Sequence, residues 1–204
     1  MDSFLDHKAL FETVFEGVDG FSLSRAGRLK LPYFYSGHTY GEVTFDGFKA
    51  MLECTSPQPD EVFYDLGSGT GKPVVLASLL FDFSKVIGIE LLEELYDGSM
   101  KMVERYKYEL LKYSELASKK HEIRFIHSDY GQVDFSDADV IFINATCAEY
   151  DMTPPLLEKF ESLKTGTRIL TSTIYISSEA FDIKDEGEFP FTWGKERVYL
   201  HVKK

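Results

Sequence analysis

The chain has 204 residues, 44% of them hydrophobic and 15% aromatic, which suits one domain with a sizeable core. Its formal net charge of -12 argues against a broad non-specific nucleic-acid footprint, which needs Lys and Arg gathered on one face. Two cysteines, Cys54 and Cys147, make no disulfide framework and point to an intracellular, reducing compartment, cytoplasmic or nuclear. No apolar run approaches the roughly 20 residues of a membrane span, and no secretory signal opens the chain.

In chain order, Phe4, Phe11, Val14 and Phe15 recur at helical spacing and predict a first helix over about residues 3–16. Gly20, Gly27, Pro32 and Gly37 punctuate the next stretch, which reads as a loop over 18–38. Thr44 is placed to cap a second helix reaching Cys54, with Phe45, Phe48, Met51 and Leu52 facing inward. "SPQPD" at 56–60 is a linker, and it divides an N-terminal helical segment (1–55) from the remainder (56–204). Beyond it, "EVFYDLG" is a short apolar strand ending in glycine, "GKPVVLASLLFDF" a helix and "KVIGIE" a second strand. A long helix runs from about Leu92 to Ser118. "IRFIHSDY" and "ADVIFINA" are the third and fourth strands. "PPLLEKFESL" is a helix whose prolines suit its first turn, "TRILTST" a fifth strand and "FPFTWGKERVYLHV" a closing hairpin.

Strands alternating with helices predict an α/β fold with a Rossmann-like, mostly parallel sheet, helices on both faces and an antiparallel C-terminal hairpin. Apolar, unalternated strands agree, because such strands are buried on both sides. A ligand then belongs at the carboxyl ends of the strands, beside the first. That rule gathers residues 65–71, Glu90, Asp129 and Asn144 around one crevice.

"DLGSGTGK" at 65–72 superficially resembles a phosphate-binding loop. That loop needs a glycine six residues before the lysine and a hydroxyl directly after it; Leu66 and Pro73 occupy those positions. A dinucleotide fingerprint needs GxGxxG, whereas Gly67, Gly69 and Gly71 are spaced GxGxG, with an acid two residues before the first. A carboxylate at Asp65 would repel a pyrophosphate. It suits a cofactor with a cationic amino-acid end and no phosphate, and S-adenosyl-L-methionine has both properties. Glu90 can accept both ribose hydroxyls through its two oxygens, and Asp129 can accept the adenine amino group with Tyr130 beside the ring. Three acids ending three successive strands are a stronger signal than the glycines alone. The five histidines show no metal-ligand spacing, and no metal is expected.

These residues carry a resemblance. "VFYDLGSGTGK" is similar to the first motif of class I S-adenosylmethionine-dependent methyltransferases. Within that class, "TYGEVTF" (39–45) resembles the Tyr-Gly-Glu loop of the Dot-one (disruptor of telomeric silencing) histone lysine methyltransferases. "IGIE", "SDY", "DVIFINATC", "LLEKFESLKTGTRILTS" and "TWGKERVYLHV" resemble later segments of the same family, so the likeness covers roughly residues 38–202.

The resemblance implies that residues 1–55 cover the cofactor, with Tyr40 and Glu42 over its methionine end. Asp65, Gly67, Ser68, Gly69, Gly71 and Lys72 would form its loop, Glu90 would take the ribose, and Asp129 and Tyr130 the adenine. Asn144, with Tyr40, would stand at the methyl-transfer point and orient the amine through its amide oxygen. Glu42 would be the nearest acid, and Phe142, Ala148 and Val198 would line the substrate channel. Lys72 stands where the family has Gln, Val43 where it has a hydroxyl residue, Ala148 where it has an aromatic and Val198 where it has a tyrosine. Thr146 and Cys147 replace other channel residues. The implied activity is methylation of a lysine on a histone or other basic protein, with no strong direct nucleic-acid binding and no membrane. A small-molecule or non-histone methyltransferase and a cofactor-binding regulator without activity are the alternatives.

Overall fold

The structure, a computed structural model, describes residues 6–32, 40–113, 122–144 and 153–204. Helix α1 (His7–Phe15) starts where Asp6 accepts the backbone N–H of Lys8 and Ala9, and it buries Leu10, Phe11, Val14 and Phe15. The next helix, α2 (Gly20–Arg28), corrects the loop expected over 18–38. Asp19 caps it by accepting Ser22 N at 3.0 Å. Gly20 and Gly27 are contact points here, not breakers. A Cβ on Gly20 would run into the Tyr40 hydroxyl, and one on Gly27 would lie 2.7 Å from Glu94 Oε2 and 3.0 Å from Leu92 Cβ. Close packing thus outweighs the helix penalty of about 1 kcal/mol that each glycine carries.

Helix α3 (Phe45–Glu53) is capped by Thr44, as its sequence predicts. Thr44 Oγ1 accepts Gly47 N at 3.1 Å and donates to the Pro190 carbonyl at 3.0 Å. There follow β1 (Val62–Leu66), α4 (Lys72–Leu80), β2 (Lys85–Glu90), α5 (Glu93–Leu110), β3 (Glu122–His127), a single 3₁₀ turn (Tyr130–Gln132) and β4 (Val140–Asn144). Helix α6 (Pro154–Glu161), β5 (Arg168–Ser172), β6 (Phe181–Phe191) and β7 (Gly194–Lys203) complete the described chain.

Two boundaries differ from expectation. Helix α5 stops at Leu110, short of 118, where i→i−3 bonds from Lys112 to Glu109 and from Tyr113 to Leu110 tighten the last turn. The hairpin begins at Phe181, well before 189. The added stretch of β6 is an edge strand that exposes Asp182, Lys184 and Asp185 and is interrupted by a bulge between Asp185 and Gly187. Edge strands are blunted in this way, so apolar patterning does not reveal them.

The seven strands form one sheet in the order β3-β2-β1-β4-β5-β7-β6. The first five run parallel, and β7 is antiparallel to both of its neighbours. Successive residues serve opposite faces. Phe63, Phe142, Leu170 and Val198 join the core under α1, α3, α4 and α5. Tyr64, Leu66, Ile141, Ile143 and Ile169 join the one under α6. Strand order reverses at β1, so a crevice opens between the ends of β1 and β4. Among the described residues no helix is long and apolar enough to cross a membrane.

Strand β7 carries a fully buried His201. Its Nε2 accepts Ile176 N at 2.8 Å, its Nδ1 lies 3.2 Å from the Ile169 carbonyl, and burial lowers its pKa from 6.5 to about 4. The folded chain holds this ring neutral while the unfolded chain protonates it at the ordinary value. Its contribution to stability is therefore present above pH 6.5 and lost as pH falls from 6.5 toward about 4. Denaturant unfolding measured across that window is expected to fall more steeply for the wild type than for His201→Gln, whose amide oxygen can still accept from Ile176; parallel slopes would refute this.

Candidate functional site

The chain leaves β1 through a turn in which Gly67, Gly69 and Gly71 all have positive φ, at 84°, 56° and 87°. Gly69 is fixed twice over: a Cβ there would be strained by the backbone angle and would lie 2.6 Å from the Tyr40 ring. Gly67 N and Ser68 N both donate to the Ile89 carbonyl at 2.9 Å. Glu90 braces the turn from the end of β2. Its Oε2 accepts Gly69 N at 2.7 Å and its Oε1 accepts Leu92 N at 2.8 Å. Burial pushes the Glu90 carboxyl upward in pKa, and the backbone N–H groups from Leu92, Gly69 and Leu91 oppose that rise.

Asp65 ends up in front of this turn, 1% exposed. Its Oδ2 has no hydrogen-bond partner among the described residues, and neither does the buried Ser68 Oγ. Desolvation first, and then the Glu90 charge, hold the Asp65 carboxyl well above the usual carboxylate range. A buried polar oxygen left in this state is costly, and a cationic donor entering the crevice would relieve it.

A clasp closes the other side. The Tyr40 hydroxyl donates to Glu42 Oε1 at 2.7 Å and lies 3.0 Å from Thr70 Oγ1. Lys72 Nζ pairs with Glu42 Oε2 at 2.6 Å, with side-chain exposures of only 16% and 11%, and sits 5.5 Å from the centre of the Phe15 ring. Desolvation and the Glu42 charge raise the Tyr40 phenol, which stays a hydroxyl and a donor. Phe21 of α2 packs edge-on against Tyr40 at 5.3 Å. The clasp is stitched to the hairpin tip as well. Thr192 N donates to the Glu42 carbonyl at 3.1 Å, Val43 bridges to Phe191, and the Trp193 ring covers Gly41.

Asn144 closes β4 at the far wall. In register beside it stands Ser172, whose hydroxyl donates to Asn144 Oδ1 at 2.5 Å. One lone pair of the amide oxygen expected to orient an incoming amine is therefore engaged within the protein.

One cleft is lined by Tyr40, Glu42, Asp65, Gly67, Ser68, Gly69, Lys72, Phe142 and Asn144 of the expected set. Gly41, Val43, Thr70 and Pro73 line it too. Gly71 and Glu90 lie just behind, as the N-cap of α4 and the brace of the turn. Asp129 and Tyr130 stand apart at the end of β3, where Asp129 Oδ1 accepts Gly131 N at 2.7 Å and caps the 3₁₀ turn. Val198 is fully buried in the core and is not among the residues lining the cleft. Ala148, Thr146 and Cys147 lie outside the described residues. Ser172 was missed in the sequence, and Thr70, inside the gathered stretch 65–71, was not singled out. What the sequence does not show for Thr70 is its contact with the Tyr40 hydroxyl, and Ser172 is identified only through the register of β4 with β5.

The family model described as "Histone methylation protein DOT1" matches residues 22–189. The chain is 30% identical over 142 residues to a histone-lysine N-methyltransferase, H3 lysine-79 specific, of Dictyostelium discoideum. That alignment takes in 67% of this chain and 8% of the relative, so the chain spans under a tenth of that protein's length. It is 26% identical over 158 residues to a protein-lysine N-methyltransferase of Saccharolobus islandicus, covering 76% of this chain and 86% of that protein. Its fold is similar to that of an RNA methyltransferase from Salinibacter ruber solved with S-adenosyl-L-homocysteine, with a TM-score of 0.53 and 21% identity, covering 77% of this chain and 90% of the other.

The clasp has a measurable energetic signature. Lys72→Met strands the Glu42 carboxylate at low exposure and is expected to cost about 3 kcal/mol of unfolding free energy. Adding Glu42→Gln to that variant removes the stranded charge and should recover part of the loss in chemical denaturation. A double variant less stable than Lys72→Met would contradict the pairing.

Proposed function

Given that the chain belongs to the DOT1 histone methylation family, we propose that it is an S-adenosyl-L-methionine-dependent methyltransferase acting on a lysine of a histone or another basic protein. The observation that carries this reading is Asp65: a buried carboxylate oxygen without a partner among the described residues, beside a glycine turn that has neither the GxxxxGK[ST] nor the GxGxxG spacing. Such a pocket fits the ammonium of the cofactor's methionine end. Asp65 would hold that ammonium, and Lys72, a cation on the same wall, would meet the neighbouring carboxylate. Gly67 leaves open space where a Cβ would stand, so the cofactor backbone can pass close to the turn. Glu90 would take the ribose through the lone pairs its two backbone contacts leave over. Asp129 and Tyr130 would take the adenine at the next strand end.

Bound there, the cofactor supplies an electrophilic methyl group on a sulfonium. The chain's own residues would align the acceptor and keep water out, which is where most of the rate in such a displacement arises. Tyr40 and Glu42 close over the methionine end. Glu42 has one oxygen on Tyr40 and the other on Lys72, an arrangement that supports a closing role over a proton-accepting one. The lysine amine, with an ordinary pKa of about 10.4, would lose its proton through desolvation as it enters the channel past Phe142. Asn144 would stand where amine and methyl meet. The acidic surface, at a net charge of -12, suits a basic protein partner.

Incubation with methyl-labelled cofactor, core histones, nucleosomes and a cell lysate tests the reading. Label is expected in a protein band. Asn144→Ala is expected to lower turnover about 100-fold, as misalignment at a reacting centre does, while cofactor affinity changes little. Label confined to small molecules would replace the protein substrate with a metabolite, and equal losses of turnover and affinity would reduce Asn144 to a cofactor contact.

Cofactor affinity should also depend on pH through Asp65. Its folded pKa is raised above 3.8, so the carboxylate that pairs with the ammonium is lost on acidification at a higher pH than an ordinary aspartate would allow. Calorimetric affinity should fall as pH falls through that raised value. Asp65→Asn should bind weakly and without this slope, and an unchanged slope would assign the effect elsewhere.

A further inference from the structure

We propose that Ser172 is a positioning residue: its hydroxyl fixes the side-chain amide of Asn144 at the methyl-transfer point. The inference rests on the reading of Asn144 given above and adds to it a residue from a different strand. An asparagine amide rotates broadly about its last torsion, with a two-fold pattern that nearly interchanges oxygen and nitrogen. A hydroxyl that donates to the oxygen holds the amide in one of its two orientations.

Ser172 is that donor. It is the last residue of β5, fully buried and in register with Asn144, and its Oγ donates to Asn144 Oδ1 at 2.5 Å. One lone pair of Oδ1 is thereby committed to β5. The other lone pair and the amide N–H₂ remain on a residue that lines the cleft.

The backbone beyond Ser172 is built to keep it there. Thr173, a β-branched residue, has φ 70°, a conformation that such residues adopt only under constraint. The constraint is visible. Thr173 N donates to the Arg197 carbonyl at 2.7 Å, Thr173 Oγ1 donates to Glu196 Oε2 at 3.2 Å, and Ile174 N turns back to the Ser172 carbonyl at 2.8 Å. Glu196 is itself anchored by the Trp193 indole N–H at 2.8 Å. Strand β5 thus ends abruptly at Ser172, with the hydroxyl opposite Asn144.

The test needs no methyl acceptor. Sinefungin carries an amine-bearing carbon where S-adenosylmethionine carries the methyl-bearing sulfur, so its amine reports on the atoms around the transfer point; S-adenosylhomocysteine lacks that group. Calorimetric affinities for both are measured on the wild type, Ser172→Ala, Ser172→Cys, Asn144→Ala and the Ser172→Ala/Asn144→Ala pair. The wild type is expected to prefer sinefungin. Ser172→Ala should reduce that preference about three- to tenfold, the range of one hydrogen bond, and leave S-adenosylhomocysteine within about twofold. Ser172→Cys fills the same space with a weak donor and should behave like Ser172→Ala. In the Asn144→Ala background, Ser172→Ala should change nothing further.

Additive losses, a full preference retained in Ser172→Ala, or equal weakening of both ligands would overturn the proposal. The wider reading fails differently. If Asn144→Ala keeps the wild-type preference, Asn144 is not at the transfer point, and if the wild type binds neither ligand the cofactor assignment falls; either result overturns the role of Ser172 as well.

Discussion

Two buried carboxylates at the ends of adjacent strands set the terms for everything around them. Glu90 and Asp65 are 6% and 1% exposed, and burial raises the cost of charging both, with the Glu90 charge adding to it at Asp65. Glu90 meets that cost within the protein, through the N–H groups of Gly69 and Leu92, and in doing so it holds the glycine turn in shape. Asp65 keeps Oδ2 without a partner among the described residues. One acid is braced by backbone amides, and the other has an oxygen that no described donor reaches. The difference arises from where the turn directs its amides.

The cover over this pair follows the same economy of charge. Glu42 would be a third acid close to the crevice, and Tyr40 and Lys72 engage both of its oxygens. Lysine at position 72 makes the clasp an ion pair, where glutamine, as the family resemblance would have it, would make it a neutral hydrogen bond. The side chain lies against the Phe15 ring, which ties the first helix to the clasp. Lys72 and the Glu42 it engages thus place a buried ion pair beside Asp65, whose Oδ2 has no partner among the described residues.

Much of this was legible in the sequence because it is local. Asp65, the three glycines and Glu90 sit at strand ends that apolar runs announce, and Thr44 announces the helix it caps. Helix α2 was hidden because its two glycines make sense only once Tyr40 and Leu92 lie against them, and those neighbours are remote in sequence. The first half of β6 was hidden because an exposed, charged edge has no apolar rhythm to read. Ser172 was hidden for a third reason. Its partner lies 28 positions away, and only the pairing of β4 with β5 brings them together. Val198 is placed by its register with Ser172 and by burial in the same apolar cluster as Phe142, neither of which its motif position reveals.

The stitching of the Tyr-Gly-Glu loop to the hairpin tip has a temporal meaning. Thr44 and Pro190 are 146 positions apart, and the bonds between these segments are among the longest-range contacts in the fold. A growing chain contains β1, its glycine turn and β2 long before residues 190–193 exist, so the clasp has no hairpin anchor while the rest is synthesised. Contacts of such separation form late and slowly, since the loop entropy must be lost before they contribute. The clasp therefore gains its anchor only once the hairpin has joined the sheet.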